Sequence, residues 1–144
     1  MNELQAAFGL LQLKHIDTAL AQRKAVYERY RQAFEGLPGL SLLEVPAGLK
    51  WNFAYCPVLI DEQHFGCSRD ALYERYREKG ILVRRYFYPL ISEFPMYRGL
   101  PSAALSGMPH ALHVSRQVLC LPIYPQLGVD TQQTIIDIAL ACRA

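Results

Sequence analysis

Arg84, Tyr86 and Tyr88 are the residues whose types and spacing are best suited to chemistry. They lie in the run Ile81-Leu82-Val83-Arg84-Arg85-Tyr86-Phe87-Tyr88-Pro89-Leu90. The run opens apolar and β-branched, which predicts a strand. Side chains alternate along a strand, so Arg84, Tyr86 and Tyr88 are expected on one face and Ile81, Val83, Arg85 and Phe87 on the other. A planar guanidinium matches a pair of phosphate oxygens, and phenols stack on rings while donating hydrogen bonds. Such a face suits an anionic, ring-bearing ligand such as a nucleotide sugar. A strand-end cluster of Tyr and Arg at a surface has the same spacing, so spacing alone leaves both readings open. Pro89 has no N–H to offer and ends the expected pairing.

Other chemistries find little support. His110 and His113 can share a helix face, but no third ligand follows at metal spacing, so no metal site is expected. No local signature marks a catalytic Cys–His pair. Neither GxGxxG nor GxxxxGK[ST] occurs, so no Gly-rich loop cradles a phosphate. Lys14, Lys24, Lys50 and Lys79 all stand in polar or helix-surface contexts, unlike a desolvated, activated amine. By itself the chain does not read as a complete enzyme.

Composition sets the class. The chain has 144 residues, of which 51% are hydrophobic and 19% charged, which suits one globular domain with a proper core. The net charge of +2 is too small to argue for nucleic acid or an acidic membrane surface as partner. Cys56, Cys67, Cys120 and Cys142 lack CxxC spacing and sit among apolar residues. They are expected to be small buried hydrophobes in a reducing cytoplasm. No apolar run approaches a membrane span, and Met1-Asn2-Glu3 leads directly into a helix, with no signal peptide expected.

The elements that must position these residues follow from patterning. Asn2 can cap a helix whose first stripe is Leu4, Phe8 and Leu11. A second stripe, Leu13, Ile16, Leu20, Tyr27, Tyr30 and Phe34, is interrupted by Arg23. One straight helix over this stretch would be about 45–50 Å long, so a bend, or a first half packed elsewhere, is expected. Gly36, Pro38 and Gly39 stop it. Leu40–Val45 and Asn52–Ile60 read as strands, with Pro57 implying an edge or a bulge. Ser68 caps a helix that ends at Lys79, with Gly80 its natural C′ residue. The Arg84 strand follows, and Ser92–Pro109 reads as a loop. His110–Val118 reads as a helix, Leu119–Ile123 as a short buried strand, and Asp130 with Gln133 as the capping box of a last helix. The whole is an α/β domain with a small, mainly antiparallel sheet and helices packed on one side.

Three blocks then carry a resemblance. Met1-Asn2-Glu3-Leu4-Gln5-Ala6-Ala7-Phe8-Gly9-Leu10-Leu11-Gln12-Leu13 resembles the segment after the active-site lysine region of the DegT/DnrJ/EryC1/StrS sugar aminotransferases. Arg84-Arg85-Tyr86-Phe87-Tyr88-Pro89-Leu90 with Phe94-Pro95-Met96-Tyr97 resembles that family's substrate loop. Leu119-Cys120-Leu121-Pro122-Ile123-Tyr124-Pro125 is similar to its LPxxP signature. The RRYFYPL form is most similar to members acting at C4 of a dTDP-linked 4-keto-6-deoxy sugar, though C3 enzymes share much of it.

The resemblance implies the small C-terminal domain of the fold-type-I, aspartate aminotransferase class. Residues 1–36 would be its linking helix and 37–144 the small α/β domain. It implies a pyridoxal-phosphate-dependent, cytoplasmic, homodimeric parent enzyme of deoxysugar and lipopolysaccharide O-antigen biosynthesis, with glutamate as donor. In that parent Arg84, Arg85, Tyr86 and Tyr88 would bind the nucleotide sugar. The lysine that binds the cofactor covalently, the aspartate at its pyridine nitrogen and most phosphate ligands would lie in a larger domain upstream. No catalytic residue is carried over. The chain alone is expected to be inactive and to bind no cofactor or metal. A stand-alone sugar-nucleotide-binding module, or a dimerisation module without catalysis, is the alternative.

Overall fold

The structure is a computed structural model and describes residues 1–143. The elements are α1 (Glu3–Leu13), α2 (Ile16–Phe34), β1 (Leu40–Leu42), β2 (Cys56–Ile60), α3 (Glu62–Phe65), α4 (Arg69–Glu78), α5 (Pro109–Gln117), β3 (Val118–Leu121) and α6 (Val129–Ala141). Single 3-10 turns punctuate the Ser92–Pro109 loop. The sheet is antiparallel in the order β1-β2-β3. This is the mixed architecture the patterning predicts.

The expected bend in the first helix falls at Lys14–His15. Asn2 caps α1 by accepting from Gln5 N at 2.9 Å, and Gln5 Oε1 accepts from Asn2 N at 3.1 Å. That reciprocal box closes a helix that buries none of its residues. Only the second half of α2 enters the core, through Val26, Tyr27, Tyr30 and Phe34.

Cys56, Val58 and Ile60 alternate along β2 and all point into one core cluster with Leu119 and Leu121 of β3. Tyr30 of α2, Leu72 and Tyr76 of α4, and Ile135 and Ala139 of α6 close over that face. Each of these buried phenols has an acceptor: Tyr30 donates to Pro122 O at 3.2 Å and Tyr76 to Ile135 O at 2.9 Å. These bonds spare the core an unsatisfied hydroxyl. Pro57 is not on an edge. It lies in the central strand, one residue beyond the last β1 pair, Leu42↔Val58.

Two further expectations about the fold need correcting. Cys67 and Cys142 form a disulfide, with Cα atoms 6.1 Å apart and a sequence separation of 75. Cys67 precedes the cap of α4 and Cys142 caps α6, and those helices pack together. Spacing in sequence could not show that packing. Cys56 and Cys120 do stay free and buried. The Asp130/Gln133 capping box does not form either. The cap residue of α6 is Gly128, with no side-chain cap, and Gln133 instead accepts from Arg29 and donates to Asp137, each at 2.8 Å. Among the described residues no helix is long and apolar enough to cross a membrane.

Candidate functional site

The 81–90 run is launched by the end of α4. Gly80, at φ +70°, donates to Arg77 O at 3.0 Å, and Ile81 N donates to Tyr76 O at 2.9 Å. This is a Schellman closure, which needs the left-handed residue that glycine supplies. The chain then runs extended, burying Val83, until Arg84 meets Cys120. Arg84 N donates to Cys120 O at 3.1 Å and Cys120 N to Arg84 O at 2.8 Å.

Contrary to the expected strand, that bridge is isolated, and its neighbours explain why. An antiparallel ladder through Arg84↔Cys120 would next pair Leu82 with Pro122 and Tyr86 with Val118. Pro122 has no N–H, and its carbonyl already accepts from Tyr30. The Val118 N–H goes to Val114 O at the end of α5, and the Val118 carbonyl accepts from Arg69 Nη1 at 3.2 Å. Both continuations are therefore blocked. Beyond Arg84 the chain turns, with Phe87 at φ +49° and a cis Tyr88–Pro89 bond.

The turn redistributes the predicted residues. Arg84 is exposed and lines a small cleft of about 190 Å³ with Tyr55, Leu82 and Ile123. Tyr86 packs on Tyr55 (ring centroids 5.3 Å apart) and on Phe87 (4.1 Å). Tyr88 has left that face and joins Arg85. The Arg85 guanidinium lies 4.5 Å over Tyr73 and 4.7 Å over Tyr88, and its Nη1 is 3.2 Å from Asp70 Oδ1. Arg69 lies 4.8 Å from the same Tyr88 ring. Arg84 and Tyr86 thus stay together through Tyr55, while Arg85 and Tyr88 form a second group.

Tyr88 also lines a larger cleft of about 1090 Å³ with Asp61, Arg69, Glu93, His113 and Arg116. Arg69 is only 3% exposed. It donates to Ser115 O at 2.9 Å and to Val118 O, and its Nε is 2.8 Å from Asp70 Oδ1. It is thereby fixed as a brace between α4 and α5. Asp61 is held below the usual carboxylate range, first by its hydrogen bond to His64 at 2.7 Å. This cleft carries both signs of charge, whereas Arg84 faces the smaller one with no ion-pair partner among the described residues. Sequence reasoning missed Tyr55, Arg69 and Phe87. The position of Arg69 directly after the Ser68 cap gives no hint of burial, and strand alternation puts Phe87 on the opposite face from Tyr86.

Lys14, Lys24, Lys50 and Lys79 are all exposed and stand outside both clefts. None of them offers pyridoxal phosphate an amine beside the candidate site, so the residues of this chain do not by themselves fit that group. Among the described residues no three His, Cys, Asp or Glu side chains gather to hold a metal ion.

The sequence profile of the DegT/DnrJ/EryC1/StrS aminotransferase family matches residues 1–139. The chain belongs to that family. It is 44% identical over 140 residues to dTDP-4-amino-4,6-dideoxy-D-glucose transaminase of Escherichia coli, an alignment covering 97% of this chain and 38% of that protein. Its fold superposes, with a TM-score of 0.87 and 30% identity, on DesI solved in the presence of its TDP-sugar product, covering 99% of this chain and 36% of that one. The putative sugar aminotransferase Spr1654 of Streptococcus pneumoniae, solved in its PLP form, shares the fold with a TM-score of 0.83 at 20% identity, covering 99% of this chain and 36% of that one. The chain thus spans little more than a third of the family members it matches.

Proposed function

We propose that this chain is the C-terminal portion of a nucleotide-sugar aminotransferase whose Arg84–Tyr88 loop forms the substrate-side wall. The parent enzyme moves an amino group from glutamate to a dTDP-linked keto-deoxy sugar. Pyridoxal phosphate, held elsewhere in the parent, supplies the electron sink for that transfer. Residues 1–36 act as the linking helix and 37–144 as the small domain of a cytoplasmic homodimer. The observation that carries this reading is the 44% identity, over 97% of the chain, to a transaminase named for a dTDP-linked amino sugar.

Within the loop, Arg84 is the residue for the diphosphate. Its guanidinium is exposed, whereas Arg85 is already engaged by Asp70, Tyr73 and Tyr88. A guanidinium held in an ion pair must give up that partner before it can grip a phosphate. The diphosphate is remote from the reacting carbon and is held alike in ground and transition states, so its loss raises KM more than it lowers kcat.

The test is steady-state kinetics on the intact parent enzyme. Arg84→Ala should raise KM for the sugar nucleotide about 10- to 150-fold, the equivalent of a charged hydrogen bond worth about 1.5–3 kcal/mol. Arg85→Ala should change KM less. If Arg84→Ala leaves KM within about twofold while Arg85→Ala raises it, the assignment is reversed. If neither changes KM, the loop is structural.

A further inference from the structure

Two phenylalanines hold a left-handed backbone: Phe53 and Phe87, both at φ +49°. Bulky residues avoid this region, and they persist there only when something over-determines them. For Phe53 the compensation is visible. Its ring packs on Trp51 (4.7 Å between centroids) and Tyr27 (5.7 Å) at the edge of the core. Phe87 has no such compensation. Its side chain is 67% exposed, and its close ring contact is Tyr86, itself in contact with Tyr55. The backbone cost at Phe87 therefore holds a ring out in solvent instead of burying one.

What that ring faces has a definite chemistry. Tyr55, Tyr86 and Phe87 make a continuous aromatic edge, and Tyr55 also lines the cleft that holds Arg84. A free cation beside a row of tilted, mutually packed rings matches a ligand with an anionic end and a flat end, since aromatic faces accept a base without needing its hydrogen-bond pattern. Tyr88, by contrast, has two guanidinium groups against its ring, those of Arg69 at 4.8 Å and Arg85 at 4.7 Å from the centroid. It is committed to holding the loop.

We propose that Phe87, supported by Tyr86 and Tyr55, is the shelf on which the nucleobase of the sugar nucleotide stacks while the diphosphate lies on Arg84. This rests on the reading of the loop as the substrate wall, and it assigns the base to a residue outside the Arg84, Arg85, Tyr86 and Tyr88 set. Tyr88 is a positioning residue in this arrangement.

The experiment is calorimetric titration of the 144-residue chain with dTDP and, separately, with inorganic pyrophosphate. The variants are Phe87→Ala, Phe87→Gly and Arg84→Ala. Wild type should bind dTDP more tightly than pyrophosphate. Both Phe87 variants should weaken dTDP at least about fivefold, the low end for a lost base–aromatic stack, and leave pyrophosphate unchanged. Arg84→Ala should weaken both ligands. Phe87→Gly should have an equal or higher Tm, because glycine relieves the left-handed backbone; its loss of dTDP then cannot be blamed on unfolding. Unchanged dTDP affinity in Phe87→Ala, or an equal loss of pyrophosphate, overturns the stacking assignment and leaves the wall reading standing if Arg84→Ala still weakens dTDP. Absence of any dTDP binding to the wild-type chain overturns the shelf, and the wall reading is then decided by the effect of Arg84→Ala on KM in the intact parent enzyme.

Discussion

An arginine is open to a ligand only to the degree that the fold has not already engaged it. Arg69, Arg84 and Arg85 show three outcomes for one residue type: a buried brace, an exposed cation and a half-buried pair with Asp70. The sequence announces the residue type at each position but not the partner, because the partners of Arg69 are carbonyls 46 and 49 residues away. The cysteines divide in the same way. Burial pushes the Cys56 thiol up to about 12 and the Cys120 thiol up to about 11. Both thiols stay protonated at neutral pH, so they are poor nucleophiles as well as inaccessible ones. Iodoacetamide at pH 8 without reductant should label none of the four cysteines in the native chain, two after unfolding in guanidinium, and four once a reductant is added, as read by mass. Four labels on the unfolded, unreduced chain would show that Cys67 and Cys142 are not joined. The raised thiol values also fix a sign. Stability from the buried neutral thiols is complete below their ordinary value of 9.0. It declines as pH rises from there towards the folded values, since the unfolded chain ionises first.

At the scale of elements, what is legible in the sequence is what local chemistry decides. Ser68 and Gly80 bound α4 through bonds made within a turn of each residue, so their residue types suffice. The 81–90 run reads as a strand yet makes a single bridge, because its fate depends on hydrogen-bonding groups elsewhere. Pro122 is visible in the sequence as a missing donor, but the use of Val118 by α5 and Arg69 is not. The α6 box fails because the helix begins at Val129, which puts Asp130 inside its first turn, and Gln133 bonds Arg29 and Asp137 instead. Gly39 offers a test of how tightly elements are joined. It sits at φ +75°, its carbonyl accepts from Asp61 N at 2.7 Å, and a Cβ there would collide with the backbone of His64 and Phe65. Gly39→Ala combines a left-handed penalty of about 1–2 kcal/mol with a clash that no side-chain rotation relieves. Chemical denaturation should show a loss of at least about 2 kcal/mol. Gly48→Ala, at φ +81° with open space around it, should lose only the backbone part, and equal losses at the two positions would show that the contact at Gly39 contributes nothing.

For the whole molecule, the unsettled element is α1. The other α-helices each bury at least one residue, but α1 buries none, and it leaves Leu4 at 82%, Phe8 at 63% and Leu11 at 54% exposure. Its capping box holds it helical at the N-terminus, so the apolar stripe is displayed on an ordered scaffold. The spacing of Leu4, Phe8 and Leu11 is legible in the sequence; that nothing else among the described residues covers them is not, since it depends on α2 turning away at Lys14–His15. An exposed stripe of this kind favours association, and the occupant available to the isolated chain is the same stripe of a second copy. Isologous pairing of two α1 helices would bury Leu4, Phe8 and Leu11 from both partners. Sedimentation equilibrium should therefore show an average mass that rises with concentration. The double substitution Leu4→Asp/Phe8→Asp should return the chain to monomer without lowering its Tm, because neither side chain contributes to the core. A monomer at high concentration, or a double variant of unchanged mass, would mean that α1 does not drive association. A lowered Tm in the double variant would mean instead that α1 supports the fold of its own chain.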